Sequence, residues 1–334
     1  MRTKATIKDV AQVAGVGIGT VSRVLNGGQH VKEETRLRVF AAIDSLDYQP
    51  NQAARRLSSG KTYSIGIVTP FFTRPSFAER LQGIEQTLRE SDYDLVLYSA
   101  TVAEHFGHRV YSLIKEQRVD GLILLNVPET LSDQLAEDFP AFPIVMLDVS
   151  APSDFPCLMI DDVLGGWVAT EALIKNGYTR LAYFCDSYAD VFGRSAAFRY
   201  QGFLNALNEH GLPNRTDWHC LLPHFDTHLL AKQAYACLSR SDRPNAIFAS
   251  SDINAFTIIN VARQLQLRIP QDLAVIGYDD LEAATYMNLT TIRQPLQQSG
   301  QLATRALLNL LEGLPHELDF PHFLPLEYIA RQTI

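Results

Sequence analysis

Apolar residues recur along this chain in two different rhythms. Over the first sixty positions the rhythm is helical. Ile7, Val10, Ala11 and Ala14 fall at i, i+3, i+4 and i+7, which puts one apolar stripe on a short helix. Thr6 precedes it as an N-cap, and Asp9 in the first turn suits the positive end of the helix dipole. Gly15-Val16-Gly17 then breaks the helix with a tight turn. A second helix is expected from Ile18 to Leu25, with Val21, Val24 and Leu25 facing inward and Asn26-Gly27-Gly28 ending it. A third, near Lys32 to Leu46, carries Val39, Ala42, Ile43 and Leu46 at helical spacing. From Tyr63 onward the rhythm changes. Unbroken apolar runs such as Ile65–Val68, Gly121–Leu125, Ile144–Leu147, Leu181–Phe184, Ala246–Ala249 and Leu273–Gly277 are separated by helical stretches such as Phe77–Glu90, Val163–Lys175 and Ile253–Leu265. Strands that do not alternate, with helices between them, predict parallel sheets covered on both faces. The expected fold is therefore an all-α helix-turn-helix domain followed by an α/β body with parallel sheets.

Two short helices joined by a glycine-containing turn present the second helix to the major groove of DNA. With Val21, Val24 and Leu25 packed inward, Ile18, Gly19, Thr20, Ser22 and Arg23 remain for DNA. Arg23 can read guanine through N7 and O6, Ile18 can touch a thymine methyl, and Thr20 and Ser22 suit phosphates or base edges. Thr6, Asn26 and His30 complete the expected DNA-binding set of this domain. Gly15, Gly17 and Gly19 imitate part of a dinucleotide-binding GxGxxG, but the preceding segment is helical and Thr20 stands where the third glycine belongs.

Charge supports the nucleic-acid reading despite a net charge of -8. Up to Lys61 there are ten Lys and Arg against five acids, and the remainder carries 19 against 32. A basic head on an acidic body confines attraction for phosphate to the N-terminus. The polar stretch from 50 to 62 reads as a hinge, in which Asn51, Ala54, Arg55 and Leu57 are expected to meet DNA. Its helix is too short to be stable alone in water, and Leu57 could wedge into a minor groove. No apolar run approaches the ~20 residues that cross a bilayer, and no secretory signal opens the chain. Four scattered cysteines without a CxxC pair read as reduced thiols of a cytoplasmic protein.

In the body, polar residues follow the strand ends: Asp148, Asp161-Asp162, Asp186, Ser251-Asp252 and Asp279-Asp280. Ligands on parallel sheets bind outside the carboxyl ends of the strands. Carboxylates there suit hydroxyl-rich ligands, Arg199 adds a fork of donors, and aromatic faces can stack on a ring. Any single aspartate is equally well a helix cap, and Asp162 is the cap candidate before Val163. His219, His224 and His228 lack metal-ligand spacing, and neither a nucleophile elbow nor a Walker loop occurs. No metal, cofactor or catalytic residue is expected.

Thr6-Ile7-Lys8-Asp9-Val10-Ala11, Gly15-Val16, Thr20 through Asn26, Val31, Glu34-Thr35-Arg36 and Tyr48-Gln49-Pro50-Asn51 together resemble the opening signature of the lac/galactose repressor (LacI/GalR) family. Gly17 departs from it, standing where many members have a capping serine. The likeness continues through Arg199-Tyr200-Gln201-Gly202-Phe203, Ser251-Asp252, Gly277-Tyr278-Asp279-Asp280 and Leu289 to Gln294. It implies a transcription regulator, most simply a repressor, whose operator binding is controlled by a small effector, with a sugar favoured. A purine or protein corepressor is the alternative, and a sugar-binding protein or enzyme the more distant one. It further implies a sensor like a periplasmic binding protein, with one subdomain over 63–161 and 292–320 and the other over 162–291 and 321–334. The DNA-binding domain would span 1–49. By this resemblance Arg199 and Asp279 bind effector hydroxyls with Asp252 nearby, Phe77 and Phe225 stack on its ring, and Ala54 and Leu57 act in a hinge helix; Asp148 joins the expected effector set from its place after a strand. Tyr178 and Ser251 replace a usual histidine and asparagine. A homodimer on palindromic operator DNA is expected, a tetramer being disfavoured by the missing C-terminal heptad extension.

Overall fold

The computed structural model describes residues 5–25, 31–48, 60–70, 72–100, 102–188 and 194–334. The chain divides into two compact units, Met1–Thr62 and Tyr63–Ile334.

The first unit holds α1 (Ile7–Ala14), α2 (Ile18–Leu25) and α3 (Glu33–Ser45). The Thr6 backbone N–H and hydroxyl both donate to Asp9 Oδ2, at 2.8 and 2.7 Å, which fastens the entry to α1 and holds the Asp9 carboxyl below its usual range. Gly15 ends α1 at φ +63°, a left-handed position that a side chain would strain. At the departure Gly17 there is no side chain to cap α2, and its carbonyl accepts the Thr20 and Val21 N–H groups, at 2.8 and 3.2 Å. Val10, Ala11, Ala14, Val21, Val24, Val39 and Ala42 form the core, closed by Tyr48. Leu25, Ile43 and Leu46, expected inside, pack at its margin and are partly buried.

The second unit contains two six-stranded sheets. The first orders β11 (His322–Phe323), β5 (Cys157–Met159), β4 (Ile144–Leu147), β3 (Gly121–Leu125), β1 (Ser64–Thr69) and β2 (Asp94–Ser99), with every pair parallel. The second orders β12 (Glu327–Ile329), β10 (Thr290–Arg293), β9 (Ala274–Asp279), β8 (Ala246–Ala249), β6 (Leu181–Cys185) and β7 (Cys220–Leu221). Its only antiparallel pair is β10–β12 among the described residues. β1, β3, β4, β6, β8 and β9 are buried along their whole length, which is why their sequences run apolar without alternation. The chain changes sheet between β5 and the following helix, after β10, and between β11 and β12. β10 continues in the second sheet to Arg293 and β11 in the first to Phe323, a little beyond the expected crossings at 291 and 321.

Helices cover both faces. Those that matter here are α4 (Pro75–Leu88) and α12 (Leu296–Glu312) on the first sheet, and α7 (Asp162–Lys175) and α8 (Arg194–Glu209) on the second. Connections of the remaining strands supply α5 (Ala103–Lys115), α6 (Glu129–Asp138), α9 (Thr227–Leu238), α10 (Asp252–Gln264) and α11 (Glu282–Tyr286). Both covering pairs cross at glycines. A Cβ on Gly83 of α4 would lie 1.9 Å from Gln297 O, and one on Gly300 of α12 2.1 Å from Arg80 O. In the other pair, a Cβ on Gly166 would lie 2.0 Å from Arg199 O, and one on Gly202 2.0 Å from Val163 O. Backbone meets backbone at each crossing, and this draws Arg80 and Arg199 down onto the sheets. No helix among the described residues is long and apolar enough to cross a membrane.

Candidate DNA-reading surface and ligand cleft

On the first unit, α2 turns Val21 and Val24 into the core and leaves its opposite side exposed. Ile18 is 46% exposed, Gly19 and Arg23 are exposed, and Thr20 and Ser22 are half-buried beside them. Arg23 Nε donates to Gly19 O at 3.1 Å, a one-turn bond that holds the side chain along the helix. Thr6 is exposed at the start of α1, engaged with Asp9. The surface thus presents an apolar contact, hydroxyls and a guanidinium on one short helix, the set that reads base edges. Asn26, His30, Asn51, Ala54, Arg55 and Leu57 lie outside the described residues.

On the second unit an open cleft lies at the carboxyl ends of the strands. Of the residues expected there, Phe77, Asp148, Arg199, Phe225 and Asp279 line it. Asn126, Asp148, Asp279 and Asp280, each closing or following a strand, have φ of +54°, +59°, +116° and +57°. Left-handed backbone on side-chain-bearing residues costs about 1–3 kcal/mol each, and such strain gathers where a site must be held in shape.

The wall is a chain of charge-assisted bonds. Arg199 Nε donates to Asp162 Oδ1 at 2.7 Å and Nη1 to Ser250 O at 2.7 Å, while Nη1 stands 3.9 Å from Asp279 Oδ1. The Tyr278 ring lies 3.7 Å from the Arg199 guanidinium carbon. Gln294 Nε2 donates to Asp279 Oδ1 at 2.6 Å, and its Oε1 accepts from Arg80 Nη2 at 3.1 Å. The same Arg80 nitrogen stands 3.1 Å from Asp148 Oδ2, which Asn126 also approaches at 3.4 Å. Burial pushes the Asp279 carboxyl up to about 6, against the opposing pull of Arg199 and Arg80. Burial also raises Asp162, again opposed by Arg199. At the mouth, Arg74 Nη2 reaches Asp186 Oδ2 at 3.4 Å and its guanidinium carbon sits 3.7 Å from the centre of the Phe225 ring.

Two aspartates take different places from those expected. Asp252 is fully buried behind the wall and is absent from its lining: Oδ1 accepts from Thr291 Oγ1 at 2.6 Å and Oδ2 from Leu281 N at 2.8 Å. It ties β10 and the turn after β9 together, and Gly277 leaves it room, since a Cβ there would lie 2.3 Å from Oδ1. Asp161, not Asp162, caps α7, accepting from Leu164 N at 2.8 Å, so Asp162 is freed to hold Arg199. Ser251 caps α10 and lines the cleft.

Arg74, Arg80, Asn126 and Gln294 also line the cleft, beyond the residues expected there, and strand-end polarity alone does not point to Arg74 or Arg80. Arg80 did carry a signal. It sits with Phe77 and Ile84 on the buried stripe of α4, where a charge needs a buried partner. His219 is a framework residue. Its Nδ1 accepts the Tyr183 N–H at 3.1 Å, its Nε2 faces Asn214 Oδ1 at 2.7 Å, and burial pushes its pKa down to about 4.

Residues 6–51 match the family model for bacterial regulatory proteins of the lacI family, and 170–334 that for a periplasmic binding protein-like domain. The chain is 36% identical over 311 residues to the HTH-type transcriptional repressor PurR of Photorhabdus laumondii subsp. laumondii, covering 91% of this chain and 90% of that protein. It is 36% identical over 310 residues to the ribose operon repressor of Escherichia coli K12, covering 91% and 92%. In structure it resembles the lac repressor dimer bound to operator and an anti-inducer, with a TM-score of 0.86, 26% identity and 99% of each chain covered.

Proposed function

This chain belongs to the lacI family of bacterial regulatory proteins, and from that premise we propose that it represses transcription by binding a two-fold operator as a homodimer, under the control of a sugar held in the cleft. It is a DNA-binding regulator of transcription and not an enzyme. In the proposed scheme Ile18, Gly19, Thr20, Ser22 and Arg23 of α2 read the major groove, Thr6 and the His30 and Asn26 positions contact the backbone nearby, and Asn51, Ala54, Arg55 and Leu57 act at the centre of the site. The protein works in the cytoplasm, where operator DNA is.

The observation that carries the sugar reading is the wall between the two sheets. Its carboxylates Asp148 and Asp279 alternate with the donors Arg80, Gln294 and Arg199, and Phe77 and Phe225 add apolar faces. Each hydroxyl of a sugar both donates and accepts, so a ring of alternating acceptors and donors satisfies several at once. A ligand touching both sheets binds one relative placement of them better than others, and that difference can shift DNA affinity. A thermal-shift screen against free sugars, nucleosides and purines tests this. A sugar at about 100 times its Kd should stabilise the protein by roughly 2.7 kcal/mol and change operator affinity in a binding assay. Response to purines alone would overturn the sugar reading in favour of a purine corepressor.

A further inference from the structure

The charges of the cleft are balanced before any ligand enters. Three guanidinium groups line it among the described residues, and each stands against a carboxylate. Arg74 faces Asp186 at 3.4 Å, Arg80 faces Asp148 at 3.1 Å, and Arg199 holds Asp162 at 2.7 Å with Asp279 at 3.9 Å. Three carboxylates, Asp148, Asp186 and Asp279, line the cleft beside the three cations, and Asp162 lies behind Arg199. Arg80 Nε has no hydrogen-bond partner and is shut away from solvent. Arg199 is further covered by the Tyr278 ring and Arg74 by the Phe225 ring. An arriving phosphate or carboxylate would meet paired cations and three acids of its own sign. Because most of these groups are buried, dissolved salt would screen little of that repulsion.

We infer that the cleft selects an uncharged polyhydroxylated ligand, a free sugar or polyol, and rejects the corresponding phosphate esters and sugar acids. This deepens the sugar reading proposed above and rests on it. Hydroxyl donors are served by the outer lone pairs of Asp148, Asp186 and Asp279, and hydroxyl acceptors by the remaining N–H groups of the three arginines. An anion taking the same N–H groups would stand against the carboxylates already paired with those arginines. Specificity of this kind is obtained as much by unfavourable charge against the wrong ligand as by contacts to the right one. Asp186 is the residue on which the discrimination turns at the mouth, since it neutralises Arg74, the least buried of the three arginines.

The test is calorimetric titration of the full chain with matched pairs, ribose against ribose 5-phosphate and glucose or galactose against its 6-phosphate, repeated on Asp186→Asn. The amide keeps the shape and the Asn254 neighbour while releasing the Arg74 charge. The wild-type chain should bind one free sugar at least roughly tenfold more tightly than its ester, and Asp186→Asn should lose most of that preference through tighter ester binding. Circular dichroism and the melting curve establish that the variant is folded. Where it is not, Arg74→Gln supplies the second measurement, because it removes the cation and should sharpen rejection of the ester. Tighter wild-type binding of an ester than of its free sugar overturns the inference and leaves the sugar reading intact. An unchanged preference in folded Asp186→Asn also overturns it. Absence of response to every free sugar refutes the sugar reading, and the inference with it.

Discussion

At the scale of single residues, Asp279 concentrates the physics of the cleft. It closes β9 in a left-handed conformation, accepts from Gln294, and is buried between two arginines. Burial penalises its charge more than the arginines favour it, so its carboxyl stands at about 6 where the unfolded chain holds 3.8. The folded protein therefore binds this proton more tightly than the unfolded chain. Its contribution to stability is complete below about pH 4 and is lost as pH rises through 6. Ligand binding should run the opposite way. Hydroxyls donate to the ionised form, so effector affinity should be level above pH 7 and weaken as pH falls below 6. Titrations of Asp279→Asn should show no such pH dependence and binding weakened by about 2 kcal/mol, the loss of one hydrogen bond to a charged acceptor. A wild-type pH dependence surviving in the variant would assign the titration to another group.

At the scale of elements, the two glycine crossings decide where two of the cleft arginines sit. Arg80 is on α4 beside the Gly83–Gly300 approach, and Arg199 on α8 beside the Gly166–Gly202 approach. Gly202→Ala would place a methyl 2.0 Å from Val163 O and 2.6 Å from Trp167 N, both backbone atoms that cannot rotate away. Separating the helices should cost about 1–3 kcal/mol, lowering Tm by roughly 5 °C. It should also weaken ligand binding, since Arg199 moves with α8, whereas binding of DNA by the first unit should change less. Scanning calorimetry beside ligand and operator titrations would separate the three effects. The short strands β5, β7, β11 and β12 belong to this scale too. Two or three residues carry no readable period, and only pairing with a longer neighbour makes them strands.

For the whole molecule, the central question is how the cleft speaks to the DNA-reading helix. The segment from 51 to 57 is the proposed link, and its assignment rests on sequence alone: Leu57 is the apolar wedge and Ala54 the small residue for close approach. Leu57→Ala should abolish preference for operator over random DNA, while the first unit's melting and the second unit's ligand affinity remain unchanged. Operator affinity equal to wild type would remove Leu57 from the mechanism.

What the sequence determined by itself was the course of the longer helices and strands and their buried sides. The spacing of Val10, Ala14, Val21 and Val24 dictated helices and their buried sides, because helical periodicity is written every three or four residues. The unbroken apolar runs dictated parallel, two-sided sheets, and Asp148 and Asp279 could be placed on the cleft because polar residues at strand ends face it in this architecture. Tertiary structure alone decided which polar residues meet. Arg80 and Gln294 bond across 214 positions, Asp252 turns from the cleft to brace Thr291, and Asp161 takes the cap that frees Asp162 for Arg199. Partner choice among buried charges depends on distance and solvation in three dimensions, and neither is expressed in the spacing of residues along the chain.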